Sequence, residues 1–532
     1  MSGPARPSAL SAGGMVSSSH PAASFAGARV LADGGNAIDA TLAMAAVTWL
    51  TLPGQCGIGG DAFAIVREPD GRVWTVNGSG FGPDGGTADF YRAKGLSTIP
   101  LDGALAVAVP GTPAALAAMH DHGATTALDV LWEPAARIAE NGLPCSAKTA
   151  RDVREAIDAI RTDAGLASTF AARSTGAEVG DLLRQPDLAR TIRGLARDPR
   201  SFYHGELAER AVAALTAGGA PFSGDEWDAG ASVEAEPAIT ARYGGATVHQ
   251  TPLPSAGWMM LQQAALCDGV VGPMPWLGAA AIDRMARAAR LAFADRLELC
   301  GSDSNGARDV LEPNRIQSQR DQLTSAAVDS SAFSVLTGDT TSTVAVDAEG
   351  RAVSFIHSLA LTFGAKFSIP GTGVVLNNRL GRGAYLLAGH PNEVAPRRKP
   401  LHTLNAWIVT DDRDQLRHVG NTPGGDGQVQ WNMQLLSHLV DHGLGPQEAV
   451  SAPRFTVFPG SDSDVIGQPD ELRIEATTPE SIRDELRARG HHVVVQPEYG
   501  AGGSAQIISR DERGIYSGAA DPRQEGVAIG VD

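Results

Sequence analysis

Apolar residues along the chain recur first at helical spacing and later at strand spacing. Ala22–Ala32 and Asp39–Leu50 both read as helices; the first stops at Asp33-Gly34-Gly35, and Asn36 or Asp39 is available to cap the second. Gly57-Ile58-Gly59-Gly60-Asp61 follows as a glycine turn leading into a strand, Ala62–Val66. From Thr112 to Asp228 the pattern is mostly helical, with charges on one face. Pro252-Leu253-Pro254-Ser255-Ala256-Gly257 interrupts the chain before another long helical stretch through Arg296. Between Arg315 and Asp339 the periodicity fades, which predicts an exposed, mobile segment. Strands dominate from Thr340 on: Thr340–Ser358, Gly373–Leu376, Ala406–Val409 and Ala505–Ile508, with one helical stretch, Val429–His442, among them. A helix-rich front and a strand-rich back predict a chain divisible at residue 340.

The segment 340–358 reads as one hairpin. Thr340–Val346 is a β-branched, hydroxyl-rich strand, Asp347-Ala348-Glu349-Gly350-Arg351 turns it, and Ala352–Ser358 runs back. With Asp347 opposite Arg351, Val346 meets Ala352, Val344 meets Ser354 and Thr340 meets Ser358; a bulge at Gly350 would slide this pairing by one residue. Two facing hydroxyls are by themselves an ordinary cross-strand contact.

Composition narrows the class of protein. At 532 residues, 43% hydrophobic and 19% charged, the chain has material for a large core and is not of the disordered type. Sixty acidic against 43 basic residues leave a net charge of −17, the wrong sign for a phosphate-backbone partner, so nucleic acid is not expected. Cys56, Cys145, Cys267 and Cys300 are scattered without metal or disulfide spacing. No basic region followed by an apolar run opens the chain, and the apolar stretch Ala40–Leu52 is too short to span a bilayer. These features predict a cytoplasmic small-molecule enzyme with no membrane partner. The glycines at 57–60 lack the Lys-Ser/Thr of a phosphate loop, and His20, His357 and His402 are too scattered for a metal site. Neither a metal nor another cofactor is expected.

The chain resembles the gamma-glutamyltransferase family of N-terminal-nucleophile hydrolases. The matching residues run in order from Gly14-Met15-Val16-Ser17 through Gly34-Gly35-Asn36-Ala37-Ile38-Asp39-Ala40, Gly57-Ile58-Gly59-Gly60, Val109-Pro110-Gly111, Thr340-Thr341, Pro370-Gly371-Thr372-Gly373 and Asn377-Asn378. They continue through Pro423-Gly424-Gly425, Ala452-Pro453-Arg454-Phe455 and Glu471–Glu475 to Gly518-Ala519-Ala520-Asp521-Pro522-Arg523. The resemblance implies a precursor that cuts itself between Asp339 and Thr340 into a large subunit, 1–339, and a small subunit, 340–532. It implies a four-layer αββα sandwich, an α/β (α+β) fold built from both subunits. Thr340 would be the nucleophile, its freed α-amine the base, Ser358 the hydroxyl that orients it, and Gly424 and Gly425 the backbone donors to the oxyanion.

Around the substrate the chain departs from that family. The arginine that holds the donor's α-carboxylate falls near Ala88, the serine pair on His402-Thr403, and the asparagine beyond the nucleophile's partner on Ala360. The amine-binding side chains after Asn377-Asn378 fall on Arg379 and Arg382, which would repel an ammonium group. Two arginines spaced i, i+3 suit a carboxylate, though a solvent-facing or salt-bridged pair is the plainer alternative. The expected substrate site is therefore Asn378, Arg379, Arg382, His402 and Thr403. It would hold a small-molecule acyl substrate with a short acidic, oxalyl-like acyl group, and water or an amine would be the acceptor. Relatives that remove an oxalyl unit by C–C cleavage act in antibiotic biosynthesis, and the resemblance implies that setting here. Two other readings stay open: an ordinary gamma-glutamyltransferase or glutathione hydrolase, and an uncleaved pseudoenzyme acting as a binding protein.

Overall fold

A computed structural model describes residues 6–323, 339–461 and 468–532, with the Asp339 side chain left undescribed. Two seven-stranded sheets, antiparallel throughout, form its centre. The first runs in the order Val527–Val531, Gly14–Ser18, Asp339–Val346, Ala352–Ala360, Asp61–Arg67, Val73–Gly78, Ala235–Pro237. The second runs Ala9–Ser11, Tyr516–Ala520, Gln506–Arg510, Leu416–Asn421, Trp407–Thr410, Ala246–Gln250, Ile239–Tyr243.

The period-2 alternation of the strands sorts their side chains into layers. Val344, Val346, Ile356, Phe63 and Ile65 face the second sheet, where they pack with Ile408, Val419 and Ile508. Their sequence neighbours Ala345, Phe355, Ala64 and Val66 face the other way, against helices that include Pro21–Ala32, Ala37–Thr51 and Thr112–Gly123. Beyond the second sheet, Val248, Trp407, Val409 and Ile507 pack with the helices Gly257–Cys267, Ala279–Leu299 and Gly427–Val440. The order through the molecule is helices, sheet, sheet, helices.

The N-terminal helices form where expected. Pro21–Ala32 ends at Asp33, and Asn36 caps Ala37–Thr51 through a reciprocal box with Asp39. Three expectations need correction. Four of the seven strands in the first sheet and three in the second precede Thr340, so the chain does not divide there into helical and stranded halves. A cut before Thr340 would leave two chains sharing both sheets. Gly373–Leu376 is not a strand of either sheet, for Gly371 and Gly373 both take φ +71° and only isolated bridges form, Ser368 to Val375 and Gly59 to Leu376. Finally, Pro313–Leu323 is a helix. It buries Ile316, Leu323 and Gln319, whose amide donates to Asp295 at 2.9 Å; a polar side chain stands where an apolar stripe would have given the signal. The rest of the expected mobile segment, 324–338, lies outside the described residues.

Candidate functional site

The hairpin register places Thr340 and Ser358. Val346 pairs with Ala352, Val344 with Ser354 and Thr341 with His357, without slippage at Gly350, whose φ of +86° closes the turn. The irregularity lies at the other end, where the register shifts between Asp339 and Thr341. Thr340 therefore sits on a bulge at the strand mouth, a device that re-aims a side chain. Its hydroxyl donates to Ser358 Oγ at 3.2 Å, and Ser358 Oγ also accepts the Ala360 N–H at 2.8 Å. Both hydroxyl residues are buried.

The glycine turn at 57–60 packs against this pair. A Cβ on Gly60 would lie 2.4 Å from the Ser358 carbonyl, and one on Gly59 would lie 2.2 Å from the Val375 carbonyl. These glycines allow backbone to approach backbone. On the helical side, Thr341 and the buried His357 face Ala37–Thr51, with His357 Nε2 3.0 Å from Thr48 Oγ1. Burial holds the His357 imidazole at a pKa of about 3 and pushes the Cys56 thiol beneath the hairpin up to about 12, so both are neutral there.

Gly424 and Gly425 arrive from the second sheet, immediately after Leu416–Asn421. That strand end is tied to the hairpin by Asn421, whose amide donates to Ser354 Oγ at 2.8 Å and to the Phe355 carbonyl at 3.0 Å. Gly424 takes φ +126° and Gly425 φ +59°, and a Cβ on Gly424 would meet the Trp431 ring at 2.2 Å. Among the described residues neither N–H donates a hydrogen bond, as an oxyanion site requires.

The expected recognition residues separate into different roles. Arg379 is 1% exposed, and its Nε donates to Asp61 Oδ2 at 2.9 Å. Its charge is thus balanced inside the protein, as the salt-bridged alternative for this residue has it. Arg382, also buried, donates from Nη1 to the Ala360 carbonyl at 2.8 Å. Ala360 holds φ +85°, a backbone setting costly for a residue with a Cβ. Asn378 is built into the wall: its side-chain oxygen accepts from Leu361 N–H at 3.0 Å and its amide donates to the Leu101 carbonyl at 2.8 Å. Thr403 is buried beside His402. His402 itself is fully buried, with Nε2 3.6 Å from Asp61 Oδ2 and neither ring nitrogen hydrogen-bonded. Burial, followed by the charges of Arg379, Arg296, Lys399 and Arg382, holds its pKa well below the ordinary range. Ala88 opens a short helix that packs near Leu380.

Asp61 is the residue sequence reading missed. It pairs in register with Ser358 on the neighbouring strand, and its Oδ1 accepts the Gly80 N–H at 2.8 Å. Burial pushes its carboxyl up; Arg379 pulls the other way, as does the Gly80 N–H. Both oxygens accept hydrogen bonds, which suits the anion. An aspartate opening an otherwise apolar strand was the available signal. Among the described residues no three His, Cys, Asp or Glu side chains converge to hold a metal. No helix among them is long and apolar enough to cross a membrane.

The family described as gamma-glutamyltranspeptidase matches residues 23–531. The chain belongs to that family. It is an N-terminal-nucleophile hydrolase of the gamma-glutamyltransferase superfamily. A glutathione hydrolase-like proenzyme of Bacillus subtilis is 31% identical over 97% of this chain and 98% of its own. An oxamate amidohydrolase proenzyme of Klebsiella pneumoniae is 31% identical over 98% of this chain and 99% of its own. Among solved structures, a cephalosporin acylase from Bacillus halodurans superimposes with a TM-score of 0.90 at 29% identity, covering 99% of this chain and 97% of that one. Family membership thus spans relatives with different named substrates and leaves the acyl group of this gamma-glutamyltranspeptidase relative to its own pocket.

Proposed function

We propose that this protein is a self-cleaving precursor whose mature form hydrolyses a short acidic acyl group from an amide, or from an activated C–C bond. The observation that carries the reading is the Thr340–Ser358 hydroxyl pair, 3.2 Å apart at the hairpin mouth, beside the Arg382–Ala360 contact. In processing, Thr340 Oγ attacks the Asp339 carbonyl carbon, the C–N bond breaks, and water then hydrolyses the resulting ester. This leaves Asp339 as a carboxylate and Thr340 with a free α-amine.

The α-amine, with an ordinary pKa near ~8, next serves as the base. It takes the Thr340 Oγ proton as the oxygen attacks the acyl carbonyl. Gly424 and Gly425 donate to the oxyanion, each such donor contributing about 3–4 kcal/mol in the transition state. For an amide substrate, the leaving amine receives the proton back from the α-ammonium, and water or an amine acceptor releases the acyl group from Thr340. Ser358 keeps the nucleophile in its attacking rotamer.

Arg382 and the neutral His402 favour a carboxylate on the acyl group over the ammonium of a γ-glutamyl donor. The test pairs intact-mass measurement with a panel of p-nitroanilides. The expected result is two chains in place of one of 55.1 kDa, with new termini at Asp339 and Thr340, and turnover of oxalyl or other half-acid anilides above γ-glutamyl anilide. A single uncut chain would point to a binding protein, and preference for the γ-glutamyl anilide to a glutathione hydrolase.

A further inference from the structure

Asp61, Arg379 and His402 form a buried cluster that the chemistry itself does not use. Asp61 is fully buried and Arg379 is 1% exposed, yet the two come from the front and the back of the chain to meet at 2.9 Å. Gly80 tightens the arrangement: a Cβ there would lie 3.0 Å from Asp61 Oδ1 and 2.2 Å from the Val109 carbonyl, so the Gly80 N–H reaches the carboxylate only because the residue is glycine. Asp61 also stands in register with Ser358, one strand from the nucleophile's partner. His402 adds two buried ring nitrogens without hydrogen-bond partners, one of them 3.6 Å from the same carboxylate oxygen.

This geometry makes Asp61 an internal carboxylate, occupying an arginine that a substrate carboxylate would otherwise claim. We propose that Asp61 sets the acyl specificity of the site: by holding Arg379 in an ion pair, it admits an acyl group with one free carboxylate, received by Arg382 and His402, and turns away one with two. The inference rests on the acidic-acyl reading above. A second carboxylate near Arg379 would meet Asp61 in a poorly solvated wall, where like charges repel strongly. Asp61 acts through Arg379 and is a specificity-determining residue, not a catalytic one.

The test compares succinyl p-nitroanilide, with one free carboxylate, and carboxysuccinyl p-nitroanilide, with two, on processed wild type, Asp61→Asn, Asp61→Ala and the double variant Asp61→Ala/Arg379→Met. The readout is the ratio of kcat/KM for the two substrates. In Asp61→Ala the preference for one carboxylate should fall about tenfold. Added formate should restore it by taking the vacated place on Arg379. In the double variant Arg379 is gone, so formate should not shift the ratio of the two substrates.

An unchanged ratio in a processed Asp61→Ala enzyme, or an equal formate effect in the single and double variants, would overturn the proposal. Should Asp61→Ala fail to process, Asp61→Asn decides: it keeps the shape but not the charge, so its ratio must fall in the same direction, and an unchanged ratio again overturns it. Failure of the acidic-acyl reading looks different. Wild type would then turn over a neutral or γ-glutamyl anilide faster than either acidic one, whatever the variants do.

Discussion

The two sides of the site are built on opposite physical plans. On the side proposed to carry the nucleophile the groups are neutral or backbone: Thr340, Ser358, two glycine N–H groups and a histidine held uncharged behind them. Their placement follows from strand register and from φ angles. On the recognition side the wall is made of buried charge, with Asp61 and Arg379 paired at 2.9 Å, Arg382 clamped to the Ala360 carbonyl and His402 amid cations. A reaction centre fixed by backbone can be kept while the wall beside it is rebuilt. Relatives of this chain are named for glutathione, oxamate and cephalosporin substrates.

The comparison breaks most visibly at Thr340. Thr340→Ala should remain one chain of 55.1 kDa on a denaturing gel and lose at least about 10³-fold in turnover, since nucleophile and α-amine base disappear together. N-terminal sequencing of the wild-type small chain that began anywhere but Thr340 would end this account. Gly424→Ala comes next. Its Cβ would be driven onto the Trp431 ring at a backbone φ of +126°, so the turn must move and the oxyanion donors with it. A loss of roughly 10²–10³ in kcat is expected, with KM little changed. Normal kcat in a processed Gly424→Ala enzyme would remove this glycine from the oxyanion site.

On the recognition side the two arginines should part company. Arg379→Met leaves Asp61 buried without its cation, a defect worth about 3–5 kcal/mol of stability, so the thermal midpoint should drop for every state of the protein. Arg382→Met should keep most of its stability and instead lose about 10–100-fold in kcat/KM on a half-acid anilide, with little change on a neutral one. Equal behaviour of the two variants in both assays would erase the distinction drawn here between an internal ion pair and a substrate contact.

What could be read in advance follows the same line. The hairpin was legible because it is local: its turn, its alternation and the Thr340–Ser358 hydroxyl contact lie within nineteen consecutive positions, although Thr340 itself sits on a register shift. The glycine turn at Gly424–Gly425 was legible only through resemblance, because Pro-Gly-Gly is a turn in any protein. The ion pair between Asp61 and Arg379 spans 318 residues of sequence, and no periodicity connects such partners. The same distance effect hid the contacts of Asn378, whose side chain is held by backbone groups of Leu101 and Leu361. Gly373–Leu376 failed for a local reason: an apolar run reads as a strand, but two glycines at positive φ bend it out of both sheets.

Ser358→Ala should cost less than the glycine change. It removes one hydrogen bond to the nucleophile and leaves the Ala360 N–H unpaired, and a fall of about tenfold in kcat is the expected scale. Ser358→Thr, which keeps the hydroxyl, should recover most of it. If Ser358→Ala cleaves and turns over like wild type, the pairing is only structural.

The smallest effect separates the two histidines by titration. His357 is buried on the nucleophile side with a pKa of about 3, against an ordinary value of 6.5, and burial is the cause. Between those two values the unfolded chain binds a proton that the folded chain refuses. Its contribution to stability is therefore complete above pH 6.5 and is lost progressively as pH falls toward 3, at no more than about 1.4 kcal/mol per pH unit for this one group. Measured on the uncut Thr340→Ala chain, so that a single polypeptide unfolds, stability should decline from pH 6.5 to 4.5. His357→Asn should decline less steeply by about one proton's worth. His402 lies among cations on the other wall and is also depressed, so its replacement should flatten the same limb. The two variants should differ in function. His357→Asn should leave the ranking of acyl substrates intact, whereas His402→Asn should alter it. Identical substrate rankings in both variants would mean that His402, like His357, serves only the core.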